Sequence, residues 1–377
     1  MRPRVFAASL AFVLAWAVAC SPTDDAGPSS PASTTPAGGN TGEEAPASSS
    51  PLPEESSATS ATRSAAAGPL GDWLAANLTA GDHAVTVAGD EPLDDAGLSI
   101  DVAWALTSVG GHETEVAAIG RWLADPAHMD AYTGQAGGEI YAGAAAKAAL
   151  AFQTAGIAAG LTDGEGQSKA AELAAVVEGR IQSDGRVSDE SSYGDYSTPF
   201  SQALAVIALV KQARDVGGEE GPVAYLAASA CPKGGFPAMF AGAGEIDGPE
   251  AECVTDIDAT ALALQALALA GGYDAALEAN LAWLLSLQQP DGSWGLEGPS
   301  VNSTGLAVST LAALVGSDAA LDREAATAAA QLGVAWLEGV QNADGGLPID
   351  ASGDSDLRAS AQGALGLLGV GIGNLTG

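Results

Sequence analysis

The stretch Leu285-Ser-Leu-Gln-Gln-Pro-Asp291-Gly292-Ser-Trp294 decides the fold, because the chain repeats it. A second clear copy is Leu337-Glu-Gly-Val-Gln341-Asn-Ala-Asp344-Gly345-Gly-Leu347, and weaker copies run over residues 179–186 and 231–236. The marker position of the copies falls at 184, 233, 291 and 344, which gives steps of 49, 58 and 53 residues. Recurrence at this spacing is typical of stacked helical hairpins.

Each copy is followed by a loop and then by a second helix rich in Ala and Leu. These helices are predicted to begin near Ser201, Asp258, Thr304 and Arg358. Apolar residues occupy most positions of 262–269, which indicates a helix surrounded by protein on most sides. Two degenerate copies, over 73–106 and 122–143, precede the others and bring the total to six helix–turn–helix units.

This arrangement resembles the α/α-toroid superfamily, which includes terpene cyclases, prenyltransferase β subunits and the helical domain of transcobalamin. The residues 289–295, Gln-Pro-Asp-Gly-Ser-Trp-Gly, are similar to the QW motif of the cyclases, and Asp258-Ala-Thr-Ala-Leu-Ala is similar to their inner helices. The resemblance covers about Gly68 to Gly369. It implies an all-α (α/α)6 toroid of six helical hairpins, with inner helices around a central cavity and loops forming its mouth. An open solenoid of stacked hairpins is the alternative.

The charge balance excludes whole classes of partner. Thirteen Lys and Arg residues against 47 Asp and Glu give a net charge of −34 in 377 residues. A nucleic-acid-binding surface needs clustered cations, and so does electrostatic docking on an anionic membrane. We therefore expect neither.

The N-terminus has the features of an export signal. Arg2 and Arg4 precede an apolar run over 5–19 that is too short to span a bilayer, and the run ends at Cys20. Residues 17–20 resemble a bacterial lipobox, which implies lipidation of Cys20 and anchoring outside the cytoplasm by that lipid alone. Ordinary signal cleavage near residue 19 is the alternative. The predicted domains are a signal peptide (1–20), a disordered linker rich in Ser, Pro, Thr and Ala (21–68) and the toroid (69–377).

Export would place the remaining two cysteines in an oxidising compartment. Cys231 and Cys253 flank a Gly-rich loop between paired helices. We expect a disulfide that closes this loop, which the loop-closure model values at roughly 3 kcal/mol. A reduced pair of thiols is the alternative.

The nearest match to the acidic motif of class II terpene cyclases is Asp256-Ile-Asp258-Ala. In those enzymes the middle Asp of Asp-x-Asp-Asp protonates an alkene. Here the third carboxylate is replaced by Ala259. We expect Asp258 to cap the helix that starts at Ala259 and Asp256 to face the mouth, and both remain candidate catalytic residues.

Other catalytic sets are incomplete. All three histidines, His83, His112 and His128, lie in the first third of the chain, far from Cys231 and Cys253, so no spacing resembles the zinc site of prenyltransferases. The Asp clusters do not fit an EF-hand, and no Gly-x-Ser-x-Gly elbow is present. We expect no metal and no cofactor.

The remaining candidates are polar and aromatic residues at helix starts and in loops, where a toroid opens its mouth. They are Asp101, Trp104, Tyr141, Tyr193, Tyr196, Asp256, Trp294, Asn302, Asp354, Asp356 and Arg358. Aromatic rings beside acids and amides suit a sugar or glycan, a small cationic molecule or a peptide segment. The sequence favours ligand binding at the cell envelope without covalent catalysis. A cyclase-like enzyme that uses Asp256 and Asp258 is the rival interpretation.

Overall fold

The computed structural model describes residues 56–80, 82–88, 91–240 and 253–375, and side chains in all of these except 56–65 and 87–88. The chain divides into two units, residues 1–61 and residues 62–377. The predicted signal peptide, Cys20 and most of the predicted linker lie outside the described residues. None of the described helices is both long and apolar enough to cross a bilayer.

Six inner helices form the wall of a closed ring. Each packs against the next in chain order, and the last packs against the first, which confirms the toroid and excludes an open solenoid. They are α2 (Ala96–Val109), α5 (Ala142–Gln153), α8 (Pro199–Lys211), α10 (Ile257–Ala270), α12 (Val301–Val315) and α14 (Leu357–Leu368).

The other helices lie outside this ring and connect its members. They are α1 (Ser56–Ala76), α3 (Glu113–Ala124), α4 (Pro126–Thr133), α6 (Ala155–Ala158), α7 (Glu165–Glu178), α9 (Pro222–Ala228), α11 (Asp274–Ser286) and α13 (Arg323–Val340). Two antiparallel pairs of short strands complete the described structure: β1 (Val85–Ala88) with β2 (Glu91–Asp94), and β3 (Phe236–Pro237) with β4 (Thr255–Asp256). The outer helices bury one side only, as α13 does with Ala326, Ala329 and Gly333.

Helix α1 begins inside the segment predicted to be linker. The helix starts at Ser56, whereas the predicted domain begins at residue 69. Its Ala-rich composition favours helix, and Ala67, Leu70 and Leu74 are buried against the ring. The domain therefore includes residues that composition alone assigned to the tether.

The interior of the ring is filled below its mouth. Every residue is buried in a continuous run of each inner helix: 95–106, 144–152, 202–209, 259–267, 304–311 and 359–367. A run of eight residues covers more than two helical turns, so the side facing the ring axis is covered as well. The central cavity that the family resemblance implies is closed over these turns, because Ala and Gly side chains let the helices approach closely.

The repeated turns join each hairpin to the next. The turn glycines Gly185, Gly234, Gly292 and Gly345 all have φ between 89° and 96°, which is the left-handed region. Each turn lies against the following outer helix; at Gly292 an added Cβ would be 2.5 Å from the carbonyl oxygen of Leu332 in α13. The final turn has no following helix and instead contacts Pro69 in α1, which closes the outer ring.

The predicted disulfide between Cys231 and Cys253 is confirmed. The two Cα atoms lie 5.8 Å apart and the sequence separation is 22 residues. The bridge joins the segment after α9 to the segment just before β4 and α10. It therefore fixes the loop that leads to Asp256.

Candidate functional site

The N-terminal ends of the six inner helices meet at one end of the ring, which we call the mouth. Five of these helices are capped by their own preceding residue, whose side chain accepts a hydrogen bond from a backbone N–H in the first turn; these residues are Asp95, Thr198, Asp256, Ser300 and Asp356. The N–H of Ala142 in α5 instead donates to Asp189 Oδ1 (2.8 Å) in the loop before α8. Capping thus concentrates carboxylates at the mouth.

Two ion pairs lie beneath this surface, the first fully buried and the second partly buried. Lys147 Nζ in α5 lies 2.6 Å from Asp101 Oδ1 in α2, and it also donates to the carbonyl oxygen of Gly97 (3.0 Å). Burial lowers the pKa of Lys147, and the Asp101 carboxylate opposes that shift. Arg358 in α14 pairs with Asp95 Oδ2 at 2.7 Å. Both cations at the helix ends are therefore committed to carboxylates of α2.

Amide side chains extend this network around the ring. Gln362 Nε2 in α14 donates to Asp101 Oδ2 (3.3 Å), and Asn302 Nδ2 in α12 donates to Gln362 Oε1 (2.6 Å). Tyr132 in α4 lies beside the same group, where burial, Asp101 and Asp95 raise the pKa of its hydroxyl. The contacts link α5, α2, α14 and α12 in one continuous polar layer.

The pair Asp256 and Asp258 has the opposite roles to those predicted. Asp256 caps α10 by accepting a hydrogen bond from the backbone N–H of Ala259 (2.7 Å), and Asp258 lies in the first turn. The helix begins at Ile257 rather than at Ala259, which moves the capping position by two residues. Asp258 is therefore released from capping.

Asp258 is the chemically unusual group of the mouth. Its Oδ1 is shielded from solvent and has no hydrogen-bond partner among the described residues, although the residue as a whole is only half-buried. Burial first, and the neighbouring charge of Asp256 second, raise the pKa of Asp258 to about 7, while Ser303 in α12 opposes the shift. Burial also raises the pKa of Asp256. A carboxyl with this pKa exchanges a proton near neutral pH.

Asp189 was not identified from the sequence, because nothing in its loop marks it as different from other acids. Burial raises its pKa to about 6, against the hydrogen bonds that it accepts from backbone N–H groups. Nearby, the Tyr141 hydroxyl donates a hydrogen bond to Glu139 Oε2 (2.5 Å). Burial is the larger cause and this hydrogen bond the second cause that raise the pKa of Tyr141 to about 12. These groups extend the polar layer toward α8.

The sequence-predicted residues fall into two sets. Trp104 and Trp294 are enclosed in the helical wall, where their indole N–H groups donate to Thr154 Oγ1 (3.1 Å) and to the carbonyl oxygen of Leu284 (2.9 Å). This position removes both from the predicted mouth. Trp104 lies within α2, and Trp294, at the end of the QW-like turn, hydrogen-bonds to the outer helix α11 of its own hairpin. The remaining predicted residues lie at the mouth or in its loops: Asp101, Tyr141, Tyr193, Tyr196, Asp256, Asn302, Asp354, Asp356 and Arg358. Within the described ranges, no cluster of three or more His, Cys, Asp or Glu side chains is arranged to hold a metal ion.

Comparisons with known proteins identify the fold. No protein-family model matches the chain, and no curated protein matches it. Among solved structures, the GH76A α-1,6-mannanase of Salegentibacter sp. HEL1_6 aligns with TM-score 0.61 and 14% identity over 81% of this chain and 98% of its own. A variant of the type II terpene cyclase MstE of Scytonema, in complex with geranylgeranyl dihydroxybenzoate, aligns with TM-score 0.58 and 14% identity over 85% and 99%.

A protein from Actinoplanes also aligns, with TM-score 0.57 and 16% identity over 81% of this chain and 98% of its own. Identities at this level carry the fold and not the chemistry. Two of these neighbours are enzymes of different reaction classes, so the fold is compatible with catalysis as well as with binding. The chain has the α/α toroid architecture that the mannanase and the terpene cyclase share.

Proposed function

We propose that the mouth of the toroid binds a cationic ligand, without covalent catalysis, and that Asp258 with its neighbour Asp256 contacts the cationic group. The observation that carries this proposal is the shielded oxygen of Asp258, which lacks a partner within the described structure. A shielded carboxylate oxygen without a hydrogen-bond partner destabilises a fold, and such a group is a candidate for function. A cation placed against it would satisfy both carboxylates at once.

The charge of the mouth supports a cation over an anion. Four cations of these helices and of the α8 loop are each paired with a carboxylate: Lys147 with Asp101, Arg358 with Asp95, Arg180 with Glu190 and Arg186 with Asp195. The carboxyls of Asp189, Asp256, Asp258 and Asp356 at the same helix ends and loop have no cation partner among these four. The net charge of −34 adds a long-range field of the same sign, which attracts cations from solution. The filled interior favours a ligand held at the mouth over one enclosed in a deep apolar cavity.

Export and lipidation at Cys20 remain part of the proposal. In that arrangement the residues before the toroid tether it outside the cytoplasm, and the mouth meets ligands of the cell envelope. Mass spectrometry of the mature N-terminus tests the anchor. A diacylated Cys20 supports it, and an unmodified cysteine or cleavage elsewhere contradicts it.

Acid catalysis by Asp258 is the second candidate function, and a specific observation favours it. Asp258 occupies the position of the middle Asp of the Asp-x-Asp-Asp motif, and its pKa of about 7 keeps a large fraction protonated at neutral pH. A substrate would have to reach it from the mouth, because the ring is filled below. This excludes a long apolar chain folded inside the ring as in a deep-cavity mechanism.

The pH dependence of binding separates these functions. Tetramethylammonium binding, measured by isothermal titration calorimetry between pH 5 and pH 8.5, is expected to strengthen as pH rises through about 7, because Asp258 loses its proton there. Asp258→Asn should weaken binding and remove this dependence, and Asp163→Asn, at an exposed acid of the loop before the outer helix α7, is the control. Binding of a neutral oligosaccharide, strongest below pH 7, would contradict the proposal, as would product formation from such a sugar that Asp258→Asn abolishes.

A further inference from the structure

Large apolar side chains are exposed in the loops along one side of the acidic mouth. Among the described residues, five large hydrophobic side chains are exposed: Tyr193 (51%), Val254 (67%), Leu296 (62%), Leu332 (54%) and Ile349 (55%). All except Leu332 lie in the loops that lead into inner helices. Tyr193 precedes α8, Val254 precedes α10, Leu296 precedes α12 and Ile349 precedes α14. We call these four side chains the rim.

The rim follows consecutive repeats along one side of the mouth. The backbone N–H of Val301, the first residue of α12, donates to the carbonyl oxygen of Ile349 (3.0 Å). Ile349 therefore lies at the same helix end as the loop of Leu296, in which the N–H of Ser300 donates to the carbonyl oxygen of Trp294 (2.9 Å). The first turns of α10 and α12, into which these loops lead, contain Asp258 and its neighbour Ser303.

Exposed apolar groups of this size that recur around a polar opening need an explanation. Scattered apolar residues are ordinary on a protein surface, but an apolar border around a polar site marks a binding surface. The outer helices follow the same repeat but lack this series of exposed apolar side chains. Among their described residues, only Leu332 of α13 is a large hydrophobic residue with an exposed side chain. The border is therefore a property of the mouth loops.

We propose that the ligand is an amphiphile, whose cationic head is held by Asp256 and Asp258 and whose apolar body lies across the rim. This inference rests on the proposed function, because it uses the same head-group site. Acidic helix starts and apolar side chains in the loops that lead into them match the head and the tail of a single amphiphilic molecule. The strong negative charge disfavours an anionic head and an anionic membrane surface as the partner.

The test uses butyl-, hexyl- and octyltrimethylammonium, each below its micelle-forming concentration, in calorimetric titrations with the full chain at pH 8. A methylene group that leaves water contributes up to about fourfold in affinity. We expect affinity to rise with each added methylene in the unaltered protein. In the double variant Leu296→Ser, Ile349→Ser the rise should fall to less than half, while butyltrimethylammonium binds as before.

Leu332→Ser is the matched control, since Leu332 is exposed to the same extent but lies on an outer helix. It should leave the dependence on chain length unchanged. Asp258→Asn should instead weaken all three ligands by a similar factor, because it alters the head site alone. Octyl sulfate and octyl glucoside should each bind at least tenfold more weakly than octyltrimethylammonium.

The outcomes separate the two proposals. If the short and long ammonium ligands bind equally tightly, or if the double variant keeps the full dependence on chain length, the amphiphile inference is wrong and the cation site stands. If no ammonium ligand binds, both proposals fall. If octyl sulfate binds as tightly as the ammonium ligand, binding is a non-specific property of apolar surface, and the inference is wrong. Binding to phosphatidylcholine vesicles without binding of any free amphiphile would also overturn it.

Discussion

Asp258 illustrates how a single residue couples stability to binding. The pKa of a free Asp is about 3.9 in an unfolded chain, whereas burial and Asp256 raise it to about 7 in the fold. The folded state therefore holds a proton that the unfolded state has released. Stability contributed by this proton is present at low pH and is lost as pH rises from about 4 to about 7. Above that window the carboxylate pair opposes folding, and this is the state that the proposed function assigns to cation binding.

We expect Asp258→Asn to be more stable than the unaltered protein at pH 8, by about 1–3 kcal/mol, since one pKa unit corresponds to about 1.4 kcal/mol. The amide has the same shape and carries no charge beside Asp256. Urea unfolding at pH 4 and pH 8 measures the difference, which should vanish at pH 4. An equal gain at both pH values, or a gain in the exposed control Asp163→Asn, would contradict this origin. Higher stability with weaker cation binding is the combination that a functional acid predicts.

Lys147 differs from Asp258 because its buried charge already has a partner, the carboxylate of Asp101. The substitution Lys147→Met removes the cation that pairs with the buried carboxylate of Asp101. From α14, Asp101 then keeps the 3.3 Å hydrogen bond that Gln362 donates. We expect a loss of about 3–5 kcal/mol in the free energy of unfolding. The double variant Asp101→Leu, Lys147→Met should recover part of it, because both charges are then gone. A cost below about 1 kcal/mol for the single variant would show that water reaches this pair.

At the scale of elements, each repeated turn packs against the outer helix of the next hairpin, and we call this contact a joint. Gly292 has φ 96°, and an added Cβ would meet the carbonyl oxygen of Leu332. Gln288 Nε2 reinforces the same joint by donating to the carbonyl oxygens of Gly292 (3.0 Å) and Ala329 (2.9 Å). The turn therefore tolerates no side chain, and its glycine is needed for conformation and for space at once.

We expect Gly292→Ala to destabilise the protein by about 1–3 kcal/mol, because the left-handed conformation and the close contact both act against the methyl group. Gly339→Ala is the matched control in the helix that packs against this turn, since Gly339 lies in α13 and an added Cβ would meet nothing within 4 Å. It should gain about 0.5–1 kcal/mol from helix propensity. Chemical denaturation of the two variants tests the contrast, and equal effects would refute it.

The sequence predicted these joints but not the details of helix starts. The repeated Asp-Gly pairs located the turns, because a positive φ has few sequence solutions. The start of α10 was placed two residues late, and this error exchanged the roles of Asp256 and Asp258. A cap is decided by the geometry of one turn, and several polar residues in a row satisfy the same pattern. Burial of Asp189 was equally invisible, since it depends on a loop packing against a helix from another repeat.

The inner helices carry a regular polar position that could have predicted how the mouth loops are held. The fourth residue of five inner helices bonds the backbone N–H of the segment before it; the acceptors are Ser99, Gln202, Thr260, Thr304 and Ser360. A polar residue four positions into an otherwise apolar helix is the sequence trace of this contact. It holds each mouth loop against its own inner helix, and so positions the caps.

At the scale of the whole molecule, closure of the ring depends on contacts between the two ends of the domain. Asp95 pairs with Arg358, Trp73 Nε1 donates to Asp344 Oδ2 (3.1 Å), and Gln341 Nε2 donates to the carbonyl oxygen of Ala66 (3.0 Å). A hairpin count gives six units, but periodicity alone does not say whether the first and last units touch. The resemblance to toroids supplied that step, and the pairing of α14 with α2 confirms it.

Ring closure gives the last prediction, in which two chains with different starting points are compared. A chain that starts at Thr62 keeps the contacts that residues from Ala66 onward in α1 make with the final turn. We expect its unfolding midpoint in urea to equal that of the full chain. A chain that starts at Asn77 loses Leu70 and Leu74, both fully buried, which corresponds to about 3–6 kcal/mol. It also leaves Gly345 and Gln341 without the helix that they contact. Because α14 still packs against α2, helix content should persist while the midpoint falls. Equal midpoints for the two chains would mean that the ring is closed by its inner helices alone.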